Sequence, residues 1–203
     1  MELLCCNYTI DCSGGTTDWP TIISSIGAIT IGIIALFISG YQSKKSLDSK
    51  KEEEERAEIH KKLDEFYGPL LQLRMKSNLL YNKFSEKFKA QDNGFTTLTY
   101  LLEGKIFEGN DATLLKEIII LGEQSEKLIH DKAGLIDDTN LRTQIIPRAT
   151  THFLILRLAY KQALKGETDK FRNLTFPKEL DNLLEKRKKE LEDRLKQLNK
   201  PNK

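Results

Sequence analysis

The sequence predicts an all-α protein, in which a single N-terminal transmembrane helix is followed by a cytoplasmic antiparallel helical bundle of about four main helices. Three observations predict this class. The 203 residues are 39% hydrophobic and 31% charged, with only 12 Gly and 5 Pro, which is typical of a folded helical protein. An uncharged segment near the N-terminus has the length of a bilayer crossing. Apolar residues elsewhere recur at helical spacing, and no stretch alternates with period two for long enough to predict a strand.

The uncharged segment runs from Pro20 to Gly40 and is bracketed by Trp19 and Tyr41. At the helical rise it spans roughly 31 Å, which matches the ~30 Å hydrocarbon core of a bilayer. Ten of its 21 residues are Ile, Leu or Phe, which contribute roughly −3 to −6 kcal/mol to insertion. A cleaved signal peptide is the weaker alternative, because no basic residue precedes the segment. We therefore predict a retained transmembrane helix over residues 20–41.

The charges on the two sides of this segment predict its orientation. Three carboxylates and no base precede it, whereas four lysines follow it closely: Lys44, Lys45, Lys50 and Lys51. By the positive-inside rule, residues 1–19 form a short extracytoplasmic tail and the C-terminal part lies in the cytoplasm, below the plasma (inner) membrane. Trp19, Tyr41 and the four lysines are the predicted membrane-interface residues. The lysines could mark topology alone or also bind anionic headgroups.

All three cysteines of the chain fall in the predicted outer tail. A disulfide from Cys12 to Cys5 or Cys6 is one interpretation, since the outer side is oxidising, and it leaves one thiol over. Acylation of membrane-proximal thiols is the other. The cytoplasmic part has no cysteine, which excludes thiolate catalysis and cysteine-ligated zinc there. A lysine-rich, cysteine-free cytoplasmic part is typical of a bacterial protein.

Small residues follow one face of the predicted transmembrane helix. They are Ser24, Ala28, Gly32, Ala35 and Ser39. Such a face lets two helices approach closely, so we expect a homo-oligomer that associates through it.

A charged segment over residues 42–62 is predicted to continue the helix as a solvated stalk, because opposite charges recur four residues apart. The bundle is predicted over residues 63–200. It opens with an apolar seam of coiled-coil spacing, interrupted by Gly68-Pro69; the seam residues are Ile59, Leu63, Phe66, Leu70 and Leu73. Further helices are predicted at about 97–102, from an Asp111 N-cap to about 132, at about 139–165, and from Pro177 onward.

The chain contains no Gly-rich phosphate loop, His-Glu-x-x-His motif or Gly-x-Ser-x-Gly motif. We therefore predict no cofactor and no metal. Glu123, Glu126 and His130 share roughly one helix face, but a metal site in a bundle also needs ligands from facing helices. The last helix alternates basic and acidic residues without interleaved aromatics, so no nucleic-acid partner is expected.

One short segment, Arg148-Ala149-Thr150-Thr151-His152, places an arginine and a histidine one helical turn apart. It resembles the Arg/His motif of HEPN ribonucleases, which are all-α bundles. The resemblance implies that Arg148 would handle phosphate charge and His152 proton transfer during RNA cleavage. A structural histidine with satisfied hydrogen bonds is the default interpretation, so no catalytic residue is predicted, and Arg148 and His152 are the only candidates.

Three functions follow from these patterns. The first is a membrane-anchored interaction or regulatory protein without catalysis of its own, which presents the bundle to an unidentified cytoplasmic protein. The second is a membrane-perturbing effector, such as a toxin or phage-defence component, that assembles through its anchor. The third is a membrane-tethered HEPN-like ribonuclease. The partners predicted in the first case are the lipid bilayer, further copies of the chain and the cytoplasmic protein.

Overall fold

A computed structural model describes the backbone of residues 19–200 and the side chains of residues 38–200. The all-α prediction is confirmed, since no strand occurs in this part of the chain. The helices are α1 (Trp19–Lys62), α2 (Gly68–Gln91), α3 (Thr97–Leu102), α4 (Gly109–Asp131), α5 (Ile146–Tyr160), α6 (Thr168–Phe171) and α7 (Glu179–Leu198).

The chain divides into two compact units, Met1–Lys51 and Glu52–Lys203. In the first, the described backbone is the N-terminal part of α1, and the side chains of Ser39, Tyr41 and the four interface lysines are exposed. Several predicted positions lie outside the described side chains: Cys5, Cys6, Cys12, Trp19, Ser24, Ala28, Gly32 and Ala35. Within residues 38–200, whose side chains are described, none of the helices has both the length and the apolarity for a membrane crossing.

The second unit is a helical bundle with antiparallel neighbours. Lys132, just after α4, pairs with Glu65, just before α2, whereas Lys87 near the end of α2 pairs with Asp111 near the start of α4. The two helices therefore run in opposite directions.

Two groups of buried side chains form the core of this unit. One group joins the C-terminal end of α1 to α5 and α7 and includes Ile59, Phe66, Leu70, Leu180 and Leu184. The other joins α3 to the ends of α2, α4 and α5. At its edge, partly buried Phe88, Phe95 and Tyr100 pack against buried Phe84 and Phe107 in a set of contacting aromatic rings. Aromatic contacts of this kind add to the stabilisation from area burial.

Two wide, π-helical turns precede two of the helices, and each comes just before a proline. Leu63–Tyr67 leads to Pro69, and Leu141–Ile145 leads to Pro147. In the first turn the Gly68 N–H donates to the Leu63 carbonyl, five residues back. A proline ring clashes with the carbonyl four residues earlier in a regular helix, and a widened turn relieves that clash. The kink predicted at Gly68-Pro69 is thus a π-turn.

The first wide turn brings backbone close to Gly68. A Cβ at this position would lie 2.7 Å from the Leu63 carbonyl oxygen. We expect Gly68→Ala to destabilise the protein by about 1–3 kcal/mol, the range for forced overpacking. Gly134→Ala is the control, because nothing lies within 4 Å of its added Cβ, and it should be neutral or stabilising by up to about 1 kcal/mol. Chemical denaturation of both variants checks this, and equal stabilities would contradict it.

Three predicted helix ends differ from the structure. The helix predicted from Asp111 begins at Gly109 with Glu108 as N-cap, and Asp111 instead forms the ion pair with Lys87. The helix predicted at 139–165 contains the second π-turn and ends at Tyr160. The last helix begins at Glu179, two residues after Pro177. The short helix over 97–102 is confirmed.

Candidate functional site

Arg148 and His152, the two candidate catalytic residues, each have a separate partner in the bundle. Arg148 Nη1 lies 2.8 Å from Glu179 Oε1, and both side chains are well exposed. His152 Nδ1 donates to the Leu174 carbonyl oxygen over 2.6 Å, and its ring packs edge-on against Phe176. His152 therefore holds the connection between α6 and α7 against α5, and Arg148 joins α5 to the first residue of α7.

The bond to Leu174 requires the proton of neutral His152 to sit on Nδ1. Burial lowers the pKa of His152; the Leu174 carbonyl opposes this change, and the positive charge of Arg74 adds to it. A lowered pKa keeps the ring neutral at physiological pH. The arrangement suits a structural histidine with satisfied hydrogen bonds.

Glu123, Glu126 and His130 do not converge. Both glutamates lie near Arg157 Nη1, at 3.6 and 3.1 Å. His130 is almost fully exposed and lies 3.4 Å from Asp131. In the described part of the chain, no group of three or more acidic, His or Cys side chains has the spacing to hold a metal ion. His60 is exposed, as its charged surroundings predict.

The end of the predicted stalk packs against α7 within the second unit. Arg194 binds Glu55 with two parallel bonds, Nε to Oε1 at 2.7 Å and Nη2 to Oε2 at 2.9 Å. The Arg56 guanidinium donates to the carbonyl of Leu198 at the end of α7, and Ile59 is buried. Fork-to-fork pairing of arginine with a carboxylate fixes orientation as well as distance. The C-terminal end of α1 is therefore part of the bundle.

A cluster of charged and polar residues joins α1, the first π-turn, the loop before α5 and α7. We call it the Asp137 cluster; its members are Lys62, Tyr67, Asp137 and Arg187. Arg187 donates to both carboxylate oxygens of Asp137, at 3.1 and 2.8 Å. Tyr67 Oη donates to Oδ1 at 2.8 Å, and Lys62 Nζ lies 3.0 Å from Oδ2. One carboxylate thus binds three donors from three different segments.

The ionisation of these groups follows from their surroundings. Burial acts to raise the pKa of the Asp137 carboxyl, but the bonds from Arg187, Lys62 and Tyr67 outweigh it and hold that pKa well below its usual value. Burial, together with the facing carboxylate, raises the pKa of Tyr67 far above its usual range. Tyr67 therefore stays protonated and donates, while Asp137 stays charged and accepts.

A second polar cluster is more deeply buried, and we call it the Arg74 cluster. Arg74 is 4% exposed and donates to Asp181 through Nε at 2.9 Å and Nη2 at 3.2 Å. Asn78 accepts a bond from Arg74 at 3.1 Å and donates to Asp181 at 2.6 Å. The guanidinium also lies over the ring of Phe176, 4.0 Å from its centroid. These contacts join α2 to α7 and to the segment that His152 holds.

An open groove of about 420 Å³ lies between α2 and α4. Its apolar lining comes from Pro69, Leu73, Leu121 and Leu128, and its polar lining from Gln72, Lys76 and Gln124. In contrast to the two clusters, this surface has apolar groups that remain accessible to a partner.

Comparisons of the chain with protein-family models, curated proteins and solved structures found no match. The interpretation of the site therefore depends on the chain's own geometry.

Sequence reasoning missed the Asp137 cluster, the Arg74 cluster and the groove. The only sequence evidence that Arg74 is buried was its position between Leu73 and Met75 in an otherwise apolar stretch of helix. The sequence around Asp137 gave no evidence of its cluster, because its partners are 50 to 75 residues away.

Proposed function

We propose that the protein is a single-pass membrane protein that presents its helical bundle to another protein and performs no catalysis of its own. The observation that carries the proposal is the composition of α1. This one helix, Trp19–Lys62, contains the uncharged segment of bilayer length and ends in residues that pack into the bundle. In this proposal the segment 20–41 spans the membrane, the tail lies outside and the bundle lies in the cytoplasm.

The contacts of Arg148 and His152 support a structural interpretation of this pair. Burial and the bond from Nδ1 to the Leu174 carbonyl hold the His152 ring against the α6–α7 connection. Glu179, the first residue of α7, pairs with Arg148 through Nη1. The two candidate residues thus bond to separate partners and not to each other, which favours a bundle without catalysis of its own.

The attachment of α1 to α7 supports a presenting role. Glu55–Arg194 and Lys62–Asp137–Arg187 give α1 two charged attachments, and Ile59 lies buried between them in sequence. The C-terminal end of α1 is thus fixed within the unit that would be presented to the partner. The predicted small-residue face of the anchor would add self-association.

Membrane fractionation of the full chain tests the proposal. We expect the protein in the membrane fraction after alkaline carbonate washing, and we expect the bundle to be protected from protease added outside the cell. The double variant Ile29→Arg/Ile33→Arg should leave the membrane fraction, because each central arginine adds about 3 kcal/mol to insertion. The control is Ile106→Arg, which makes the same change at an exposed loop position. A carbonate-soluble wild type, or digestion of the bundle from outside, would overturn the proposal.

A further inference from the structure

The groove between α2 and α4 is a bounded, partly apolar surface. The Glu65–Lys132 and Lys87–Asp111 ion pairs lie towards the two ends of this helix pair. Between them, half-buried Leu73 and Leu128 and buried Leu121 line the groove. A volume of about 420 Å³ is sufficient for several aliphatic side chains.

The exposed face of α2 beside the groove carries two large apolar residues. Leu79 is 68% exposed and Met75 is 54% exposed. Met75 lies three residues after the groove residue Gln72, and Leu79 lies three residues after the groove residue Lys76, so each is next to a groove residue on the helix surface. Exposed apolar side chains next to an apolar groove mark an interaction surface.

The same face has an excess of positive charge. The exposed positions of α2 hold four lysines, Lys76, Lys83, Lys87 and Lys89, but only one acid, Glu86. Lys87 is paired with Asp111 of α4 and Lys89 lies over the ring of Tyr81, so Lys76 and Lys83 are the charges that remain available. Lys76 lines the groove and forms no ion pair with any residue of the described chain. Among the described residues, Lys83 pairs with Glu86 of its own helix alone, at 3.5 Å, and is well exposed. This positively charged surface is therefore complementary to a negatively charged partner.

We propose that the α2/α4 groove and the adjoining face of α2 bind an acidic amphipathic helix of another protein. Its apolar side chains enter the groove against Leu73, Leu121 and Leu128 and cover Met75 and Leu79. Its carboxylates face Lys76 and Lys83. This inference rests on the proposed presenting role, and it names the surface and the partner chemistry.

Two other occupants fit less well. A second copy that paired through the same face would oppose lysines with lysines, which costs several kcal/mol. A bilayer surface is flat and does not reach the floor of a groove between two helices. The exposed positions of α2 also lack the Trp and Tyr that anchor interfacial helices.

Photo-crosslinking of the full chain in its native cells tests the proposal. Leu79 is replaced by the photoreactive amino acid p-benzoylphenylalanine, and exposed Lys189 on α7 is replaced in the same way as a control. After irradiation, the peptide joined to position 79 is sequenced. We expect a segment with apolar residues at i, i+3, i+4 and i+7 and an excess of Asp and Glu. We expect no such product from position 189.

Reversing the charge of the surface tests the carboxylate contacts. Lys76→Glu/Lys83→Glu in the crosslinking protein should reduce the yield about tenfold or more, which corresponds to about 1.4 kcal/mol or more. Its thermal midpoint should match the parent's, since both lysines are exposed. Products joined to lipid, to a second copy or to a segment without excess acid would overturn the proposal, as would no product or an unchanged yield. Membrane fractionation of the same cells reports on the anchoring proposal separately.

Discussion

Replacing Asp137 with Asn is expected to destabilise the bundle by about 2–4 kcal/mol at pH 7, somewhat less than breaking a fully buried ion pair, because the groups are half-buried and Glu58 and Glu190 remain near Lys62 and Arg187. The substitution preserves volume and an acceptor for Tyr67, but it leaves the cations of Lys62 and Arg187 without their shared carboxylate. Asp131→Asn is the control, because Asp131 is half exposed and its only described partner is His130 at 3.4 Å. It should change stability by less than about 1 kcal/mol.

The difference in unfolding free energy between wild type and Asp137→Asn should depend on pH with a definite sign. The pKa of Asp137 in the folded protein lies below its usual value of 3.8. The ionised Asp137 carboxylate therefore contributes its full stabilisation above about pH 4. That stabilisation is lost as the pH falls from there towards the folded pKa. The stability gap between wild type and Asp137→Asn should be constant from about pH 5 to 8 and should narrow below pH 4. Urea denaturation across this range checks it, and a gap that widens in acid would contradict it.

Asp181→Ala is expected to destabilise the protein by a similar amount, about 3–5 kcal/mol. It removes the carboxylate from Arg74, which is almost fully buried and retains Asn78 and the aromatic rings of Phe176 and Phe153. The control is Glu179→Ala, two residues earlier on α7. It breaks the exposed pair with Arg148 and should change stability by less than about 1 kcal/mol.

A double variant separates charge pairing from packing at this position. Arg74→Leu/Asp181→Leu removes both charges and should be more stable than Asp181→Ala alone, because no unpaired charge remains buried. Denaturant unfolding of the single, double and control variants measures each value. If Asp181→Ala and Glu179→Ala changed stability equally, the buried pairing of Arg74 would be refuted.

The helices could largely be predicted from sequence because their patterns are local. The all-α class and the short helix over 97–102 follow from apolar spacing and turn residues within a few positions. The charge clusters could not be predicted in this way. Lys62 and Arg187 are flanked in sequence by both acidic and basic residues, a pattern that predicts a solvated helix face. Only their tertiary contact with Asp137 distinguishes them from the other charged residues.

The predicted apolar seam shows where local reasoning fails. Ile59, Phe66 and Leu70 are buried as predicted, but Leu63 and Leu73 are only partly buried. After Leu70, the buried positions of α2 are Arg74, Ser77, Phe84 and Ser85, so Arg74 is buried in place of its neighbour Leu73. A seven-residue repeat assumes a regular helix, whereas a π-turn contains one additional residue and rotates the following positions by roughly 100°.

The first π-turn behaves as a one-residue insertion in a helix, and the packing on both sides of it depends on that additional residue. Ile59 precedes it and Arg74 follows it, and both must face inward at the same time. Deleting one residue between Leu63 and Tyr67 would restore a regular helix but turn one of these two faces away from its partners. The length of this segment is therefore under stronger constraint than the identity of its individual side chains, and variation in natural sequences should conserve the spacing from Ile59 to Arg74.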